Sequence, residues 1–156
     1  MKRFTIFLLV LMSVLAAGSV LAEESATREE VVAMCKKAAQ AVLENKEEAI
    51  KEIGDKNGPF VWKNTYVFLM NIEGHMLAHP MIPQLTEKGS LLDVTDKNKE
   101  NPKLLFREFV DVASKNGEGW VWYMWPKPME KTPSKKFTFI YRVGFTDMFV
   151  GAGIYK

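Results

Sequence analysis

The sequence predicts an α+β fold, a five-stranded antiparallel sheet covered by helices and belonging to one domain. Three observations carry this. Apolar residues between positions 25 and 54 repeat at helical spacing, whereas five later stretches alternate at period 2 or run apolar over strand-like lengths. Two links between those stretches, Glu73-Gly74 and Gly144-Phe-Thr-Asp147, are turns short enough to join antiparallel neighbours. Regular strand–helix–strand alternation, the mark of a parallel sheet, is absent.

Taken in order, the chain opens with a segment of export type. Lys2 and Arg3 precede an apolar run from Phe4 to Gly18, and Val20-Leu21-Ala22 supplies small residues at a cleavage point before Glu23. The run is shorter than the ~20 residues of a comfortable membrane span; a retained anchor is the alternative. The expected division is a signal peptide over 1–22 and one domain over 23–156, periplasmic or secreted, with no stable membrane span after cleavage. Taking 22 residues from 156 leaves 134, enough for one sizeable core. It also takes Lys2 and Arg3 from the 21 basic residues, leaving 19 against 19 acidic ones. A neutral mature chain lacks the clustered basic surface that nucleic-acid binding needs. Cys35 is the only cysteine, so no internal disulfide can form and stability has to come from packing. In its helical surroundings it reads as a small buried apolar residue.

Ser25 or Thr27 is placed to cap a helix whose first turn holds Glu29 and Glu30. Val31, Met34, Cys35, Ala38, Ala41, Val42, Ala49, Ile50 and Ile53 make its stripe as far as Gly54, as one long helix or a pair broken near Asn45. Thr65–Ile72 is apolar on both sides and therefore a central strand. With Ile72 opposite His75, the return strand His75–His79 sets His79 opposite Phe68, on the same face. Met81–Lys99 reads as a loop with short ordered pieces. Asn101-Pro102 reads as the start of a helix through Lys115, with Leu105, Phe106 and Phe109 on its apolar side.

Gly119–Pro126 holds three of the four tryptophans and pairs with Lys135–Val143. Setting Trp125 opposite Lys136 sorts the side chains. Trp120, Trp122, Met124, Phe137, Phe139 and Tyr141 share a face that reads as core, the two tryptophans included. Val121, Tyr123, Trp125, Lys136, Thr138, Ile140 and Arg142 share the other, whose aromatics, cations and hydroxyls suit a small anion. The last strand, Met148–Tyr155 with Val143 opposite Met148, adds Gly151 and Gly153 to that second face. Two residues without side chains there predict a hollow.

The order and spacing of several short motifs over essentially the whole mature chain are similar to a known family. They are the Tyr66-Val-Phe68 strand and its Gly74 turn, Leu77-Ala-His-Pro80, Gly89-Ser-Leu-Leu-Asp93, Phe106-Arg107, Gly119-Trp-Val-Trp-Tyr-Met-Trp-Pro126, Pro133-Ser-Lys-Lys136, Val143 and Gly151-Ala-Gly-Ile-Tyr155. The chain resembles a single Cache domain of type 2, the extracytoplasmic ligand-sensing module related to PAS folds and found in bacterial chemoreceptors and histidine kinases. The resemblance implies a sheet in the order 2-1-5-4-3 and a pocket that in many members takes small organic acids such as acetate, propionate or pyruvate. Receptors of this kind continue into a second membrane helix, whereas this chain stops at Lys156, which reads as a free-standing exported form. Its Gly144-Phe-Thr-Asp147 turn departs from the more common Pro-Gly-Trp.

Lys136 leads the site candidates, able to hold a carboxylate through a charge-assisted hydrogen bond; the alternative is a solvated lysine at a loop edge. Tyr123 and Trp125 would add a hydroxyl and an apolar wall, and Thr138 a second hydroxyl. Arg107 would cap the pocket from its helix, and His79, beside Pro80, would donate to the ligand. His75 and His79 make a poor metal pair, since residues four apart on a strand lie ~13 Å from each other. No metal or cofactor is expected. The chain has no nucleophile elbow, Gly-rich phosphate loop or Cys-x-x-Cys, and no paired acids near the aromatic strand, so no enzyme is expected. The expected function is a periplasmic binding or sensor domain for a short organic acid, monomeric or weakly dimeric, acting through a membrane-bound kinase or chemoreceptor. The alternative is an interaction module for such a partner, its pocket filled by its own side chains.

Overall fold

The computed structural model describes residues 24–156. The elements are α1 (Arg28–Glu44), α2 (Lys46–Gly54), β1 (Val61–Trp62), β2 (Thr65–Asn71), β3 (Met76–Ala78), a 3₁₀ helix (Pro83–Glu87), α3 (Leu105–Lys115), β4 (Glu118–Pro126), β5 (Pro133–Arg142) and β6 (Met148–Tyr155). The expected signal peptide lies outside the described residues.

Thr27 starts α1 with a reciprocal cap. Its hydroxyl accepts from the Glu30 N–H, and the Glu30 carboxylate accepts from the Thr27 N–H. Asn45 ends this helix and begins the next, its extended backbone breaking the run while its side chain accepts from the Glu48 N–H. The N-terminal helical stretch is therefore a pair broken at Asn45.

The sheet is antiparallel throughout, in the order β1-β2-β6-β5-β4, with β3 also paired to β2. Six strands replace the five expected, and the difference lies at one edge. There β1 pairs with Thr65 and Tyr66 while β3 pairs with Leu69 and Met70, so two short strands share one side of β2. The β1–β2 turn, Lys63-Asn64, puts Lys63 at φ 47° without the Gly that usually marks such a hairpin.

Two registers follow the expectation and one does not. Leu69 faces Ala78, although a bulge after Leu69 shifts the pairing toward the turn. Arg142 faces Phe149, which continues into the Val143 N–H donating to the Met148 carbonyl. On the β4–β5 hairpin, however, Tyr123 faces Lys136 and Trp125 faces Ser134, two residues from the expected pairing. A slip of two preserves side-chain parity, so both faces keep the residues assigned to them. What changes is the neighbour of Lys136, which is Tyr123 and not Trp125.

Both faces are core. On one, Val67, Leu69, Phe139, Val150 and Ala152 pack against Val31, Cys35, Ala38 and Val42 of α1 and Ile53 of α2. On the other, Phe68, Met70, Ile140 and Phe149 pack against Leu105, Phe106 and Phe109 of α3. The face expected to be polar is thus a second apolar cluster with polar groups set into it. Trp122 departs from its expected core position: it is 46% exposed at the sheet edge, between the Lys103 and Lys135 ammonium groups.

α3 begins at Leu105, later than Asn101-Pro102 suggested. The preceding residues are occupied otherwise. The buried Asp96 carboxylate accepts the N–H groups of Asn98, Lys103 and Met124, folding residues 96–103 into a loop fastened to β4. The Lys97 N–H adds a bond to the Met124 carbonyl.

Candidate ligand-binding site

Four strands and one helix converge where the second core holds its polar groups. β5 carries Lys136 and Thr138 inward, β2 carries Tyr66 and Phe68, β6 carries Gly151, Gly153 and Tyr155, and β4 carries Tyr123 and Trp125. α3 closes the space with Leu105, Phe106 and Phe109, and His79 enters just after β3.

Lys136 is only 2% exposed. Its Nζ lies 3.2 Å from Tyr66 Oη and faces the rings of Tyr66 and Tyr155, 4.5 and 4.8 Å from their centroids. Among the described residues no carboxylate pairs with it. Rings and a phenol are weaker company for a desolvated ammonium than a carboxylate is. Burial accordingly pulls its pKa down from 10.5 to about 7.

His79 is 5% exposed, and its Nδ1 accepts from the N–H groups of Met81 and Ile82 at 3.2 and 3.0 Å. An Nδ1 that accepts leaves the proton of the neutral ring on Nε2. Burial first, and the Lys136 charge second, pull its pKa down to about 3. At neutral pH it is an uncharged donor. Its ring stacks on Phe68 at 6.2 Å and tilts against Tyr66 at 4.9 Å. Tyr123 Oη and Thr138 Oγ1 lie 2.9 Å apart, both buried. Burial pushes the Tyr66 and Tyr123 hydroxyls up, so both remain neutral donors.

The hollow expected above Gly151 and Gly153 is filled. A Cβ on Gly151 would collide with the Phe68 ring, and one on Gly153 would meet Thr138 Oγ1 and come within 2.8 Å of Lys136 Cε. The glycines make room for the Phe68 ring and the lysine stem rather than for open space. What remains is a cavity of ≈ 20 Å³ lined by Tyr66, Phe68, His79, Phe109, Tyr123, Trp125 and Lys136 among others, about the room of one water molecule. Two larger hollows, ≈ 500 and ≈ 420 Å³, lie outside it beneath the Lys127–Glu130 loop. Tyr66 lines all three spaces, and Trp125 lines both the small cavity and the ≈ 420 Å³ hollow.

The family model for the Cache domain matches residues 27–156, nearly all of the described chain. The chain belongs to the Cache domain family. Among solved structures, this Cache domain is similar to a periplasmic sensor domain of a chemotaxis protein, with 26% identity and a TM-score of 0.64 over 81% of this chain and 88% of that one. It shares its fold with a Cache chemosensory domain described for carboxylic acid recognition (23% identity, TM-score 0.68, 81% and 91% covered). It also shares it with a methyl-accepting chemotaxis protein from Vibrio parahaemolyticus (23%, 0.66, 81% and 86%).

Of the six residues singled out in the sequence, the Cache fold brings His79, Tyr123, Trp125 and Lys136 to one cavity, with Thr138 behind Tyr123. Trp125 stands edge-on to Phe106 at 6.5 Å and to Tyr123 at 6.2 Å, and so forms part of the wall. Arg107 is not there. Its Nη2 donates to Asp93 Oδ1 at 2.6 Å and its Nε to the Leu92 carbonyl at 3.0 Å, clamping the 92–93 loop to α3 from a half-exposed position. Tyr66, Phe68, Phe109 and Tyr155 were not singled out. Pairing β2 with β6 reveals the first two, because Phe68 falls opposite Gly151 and Tyr66, two residues earlier, shares its face.

Proposed function

We propose that this Cache domain is an extracytoplasmic sensor for a short carboxylate, and that it signals through a membrane-bound kinase or chemoreceptor. The observation that carries the ligand class is the buried ammonium of Lys136, which no acid among the described residues pairs with. An unpaired buried charge is unfavourable by several kcal/mol, and a ligand carboxylate compensates it in place. His79 and Tyr123 add neutral donors, and the Phe68–Phe109 wall suits a short apolar tail. The likeness to a domain described for carboxylic acid recognition supports the same class. Its relatives are sensor domains, and we read this chain as a non-enzymatic member exported by a signal peptide over residues 1–22. Among the described residues no helix is long and apolar enough to cross a membrane.

Calorimetry with acetate, propionate and pyruvate tests this. Binding should be lost in Lys136→Met, and at pH 8 it should draw protons onto the protein, because a carboxylate beside Lys136 raises a pKa that burial holds near 7. No heat with any of the three acids, or unchanged affinity in Lys136→Met, overturns the reading. A second reading is an interaction module whose pocket is closed by its own side chains. The filling of the glycine hollow by Phe68 and Lys136 favours it, and it would leave the purified domain silent to every short acid.

A further inference from the structure

We infer that Lys136 captures small 2-oxo acids covalently, as a reversible imine between Nζ and the keto carbon. This rests on the carboxylate reading above and adds a chemistry to it. A lysine becomes a nucleophile when an apolar site removes its charge, and four features build such a site here. Nζ is buried among aromatic rings, and among the described residues no carboxylate holds it as an ammonium. Gly153 leaves room for its stem, which fixes where the amine points. Tyr66 Oη, 3.2 Å away, is in place to pass a proton between nitrogen and oxygen. The surrounding wall keeps bulk water from an imine once formed. The lowered pKa agrees, leaving a large share of the amine neutral near pH 7.

The step balances without an outside reagent. The nitrogen lone pair attacks the keto carbon, and the carbonyl pair moves to oxygen, which takes a proton. Nitrogen gives up its protons as the C=N bond forms, and the oxygen leaves as one water. Nothing is oxidised or reduced. The cavity as it stands has room for about one water, so a keto acid enters only as the side chains around Lys136 give way, and on imine formation its carboxylate passes from Lys136 to the neutral donors His79 and Tyr123.

The test is reductive trapping of the purified protein with pyruvate and cyanoborohydride, followed by peptide mass mapping. Lys136 should gain the mass of one reduced pyruvyl group at least about tenfold faster than any surface lysine, since an ordinary lysine is only about 0.04% neutral at pH 7. Excess acetate should block the label by occupying the site. Lys136→Met and Lys136→Arg should both lack it, with circular dichroism verifying that each is folded. Label spread over surface lysines with Lys136 spared overturns the inference. Calorimetry without reductant separates the two ideas. Acetate and pyruvate binding with no trapped adduct ends covalent capture and keeps the carboxylate sensor, whereas neither binding nor adduct ends both.

Discussion

The two faces of the sheet are packed alike and composed differently. Against α1 and α2 the buried side chains are aliphatic or aromatic, with Cys35 reaching the Phe139 carbonyl at 3.9 Å. Against α3 the cluster is richer in Phe, Leu and Met, yet it also surrounds Lys136, Thr138, His79 and two tyrosines. Among the described residues the first face leaves one buried polar group without a partner, the uncharged indole N–H of Trp62. In the second, Lys136 lies buried with only a phenol and two rings for company. The lesson is that a sheet can pack equally on both sides and still confine its buried basic groups, Lys136 and His79, to one of them.

Core truncations should separate the faces most strongly. Phe109→Ala should lower unfolding free energy by ~3–5 kcal/mol and Leu69→Ala by ~2–5 kcal/mol in urea titrations. Only the first should also weaken acetate binding; equal weakening by both would erase the distinction. Next, Lys136→Met should reduce carboxylate affinity by ~2–5 kcal/mol, the usual loss when one partner of a buried charge pair is removed. The same variant should be more stable than the wild type when ligand is absent, because it no longer buries a charge.

The pH dependence carries the same signature. Between pH 7 and the ordinary lysine range near 10.5, the unfolded chain holds a proton that folded Lys136 has shed. Ligand-free stability should therefore rise with pH across that window, and Lys136→Met should flatten the rise. His79 contributes separately. Its folded pKa of about 3 lies below the ordinary 6.5, so stability should fall as pH drops from about 6.5 to about 3, and His79→Gln should remove that part. The smallest effect should come from Tyr123→Phe, which strips one buried hydrogen bond from Thr138. A loss of ~1 kcal/mol in thermal or urea unfolding is expected.

Period-2 reading recovered much of this molecule because parity is robust. The β4–β5 pairing was displaced by two residues, yet Tyr123, Lys136, Thr138 and Ile140 still emerged on one face. The displacement itself was not legible, since the residues joining Pro126 to Pro133 lack a turn signature that dictates register. Two other features need coordinates for a physical reason. A glycine announces that a side chain is missing, but not whether a neighbour fills the gap, and here Phe68 and Lys136 do. Arg107 follows a plausible helix pattern, yet its partner is decided by the 89–94 loop, which has no periodicity to read. β1 is two residues long, too short for any pattern to show.

Tyr155 ends β6 with its ring against the Lys136 ammonium, while its Oη donates to the Pro126 carbonyl at 2.8 Å. One side chain thus touches the charge, the last strand and the mouth of the β4–β5 loop. Thermodynamic reciprocity then applies to anything that binds outside. A partner that grips the end of β6 or the Lys127–Glu130 loop and displaces this phenol changes ligand affinity by some factor. The ligand must change that partner's affinity by the same factor, so partner binding alone can serve as a gauge of what the pocket holds.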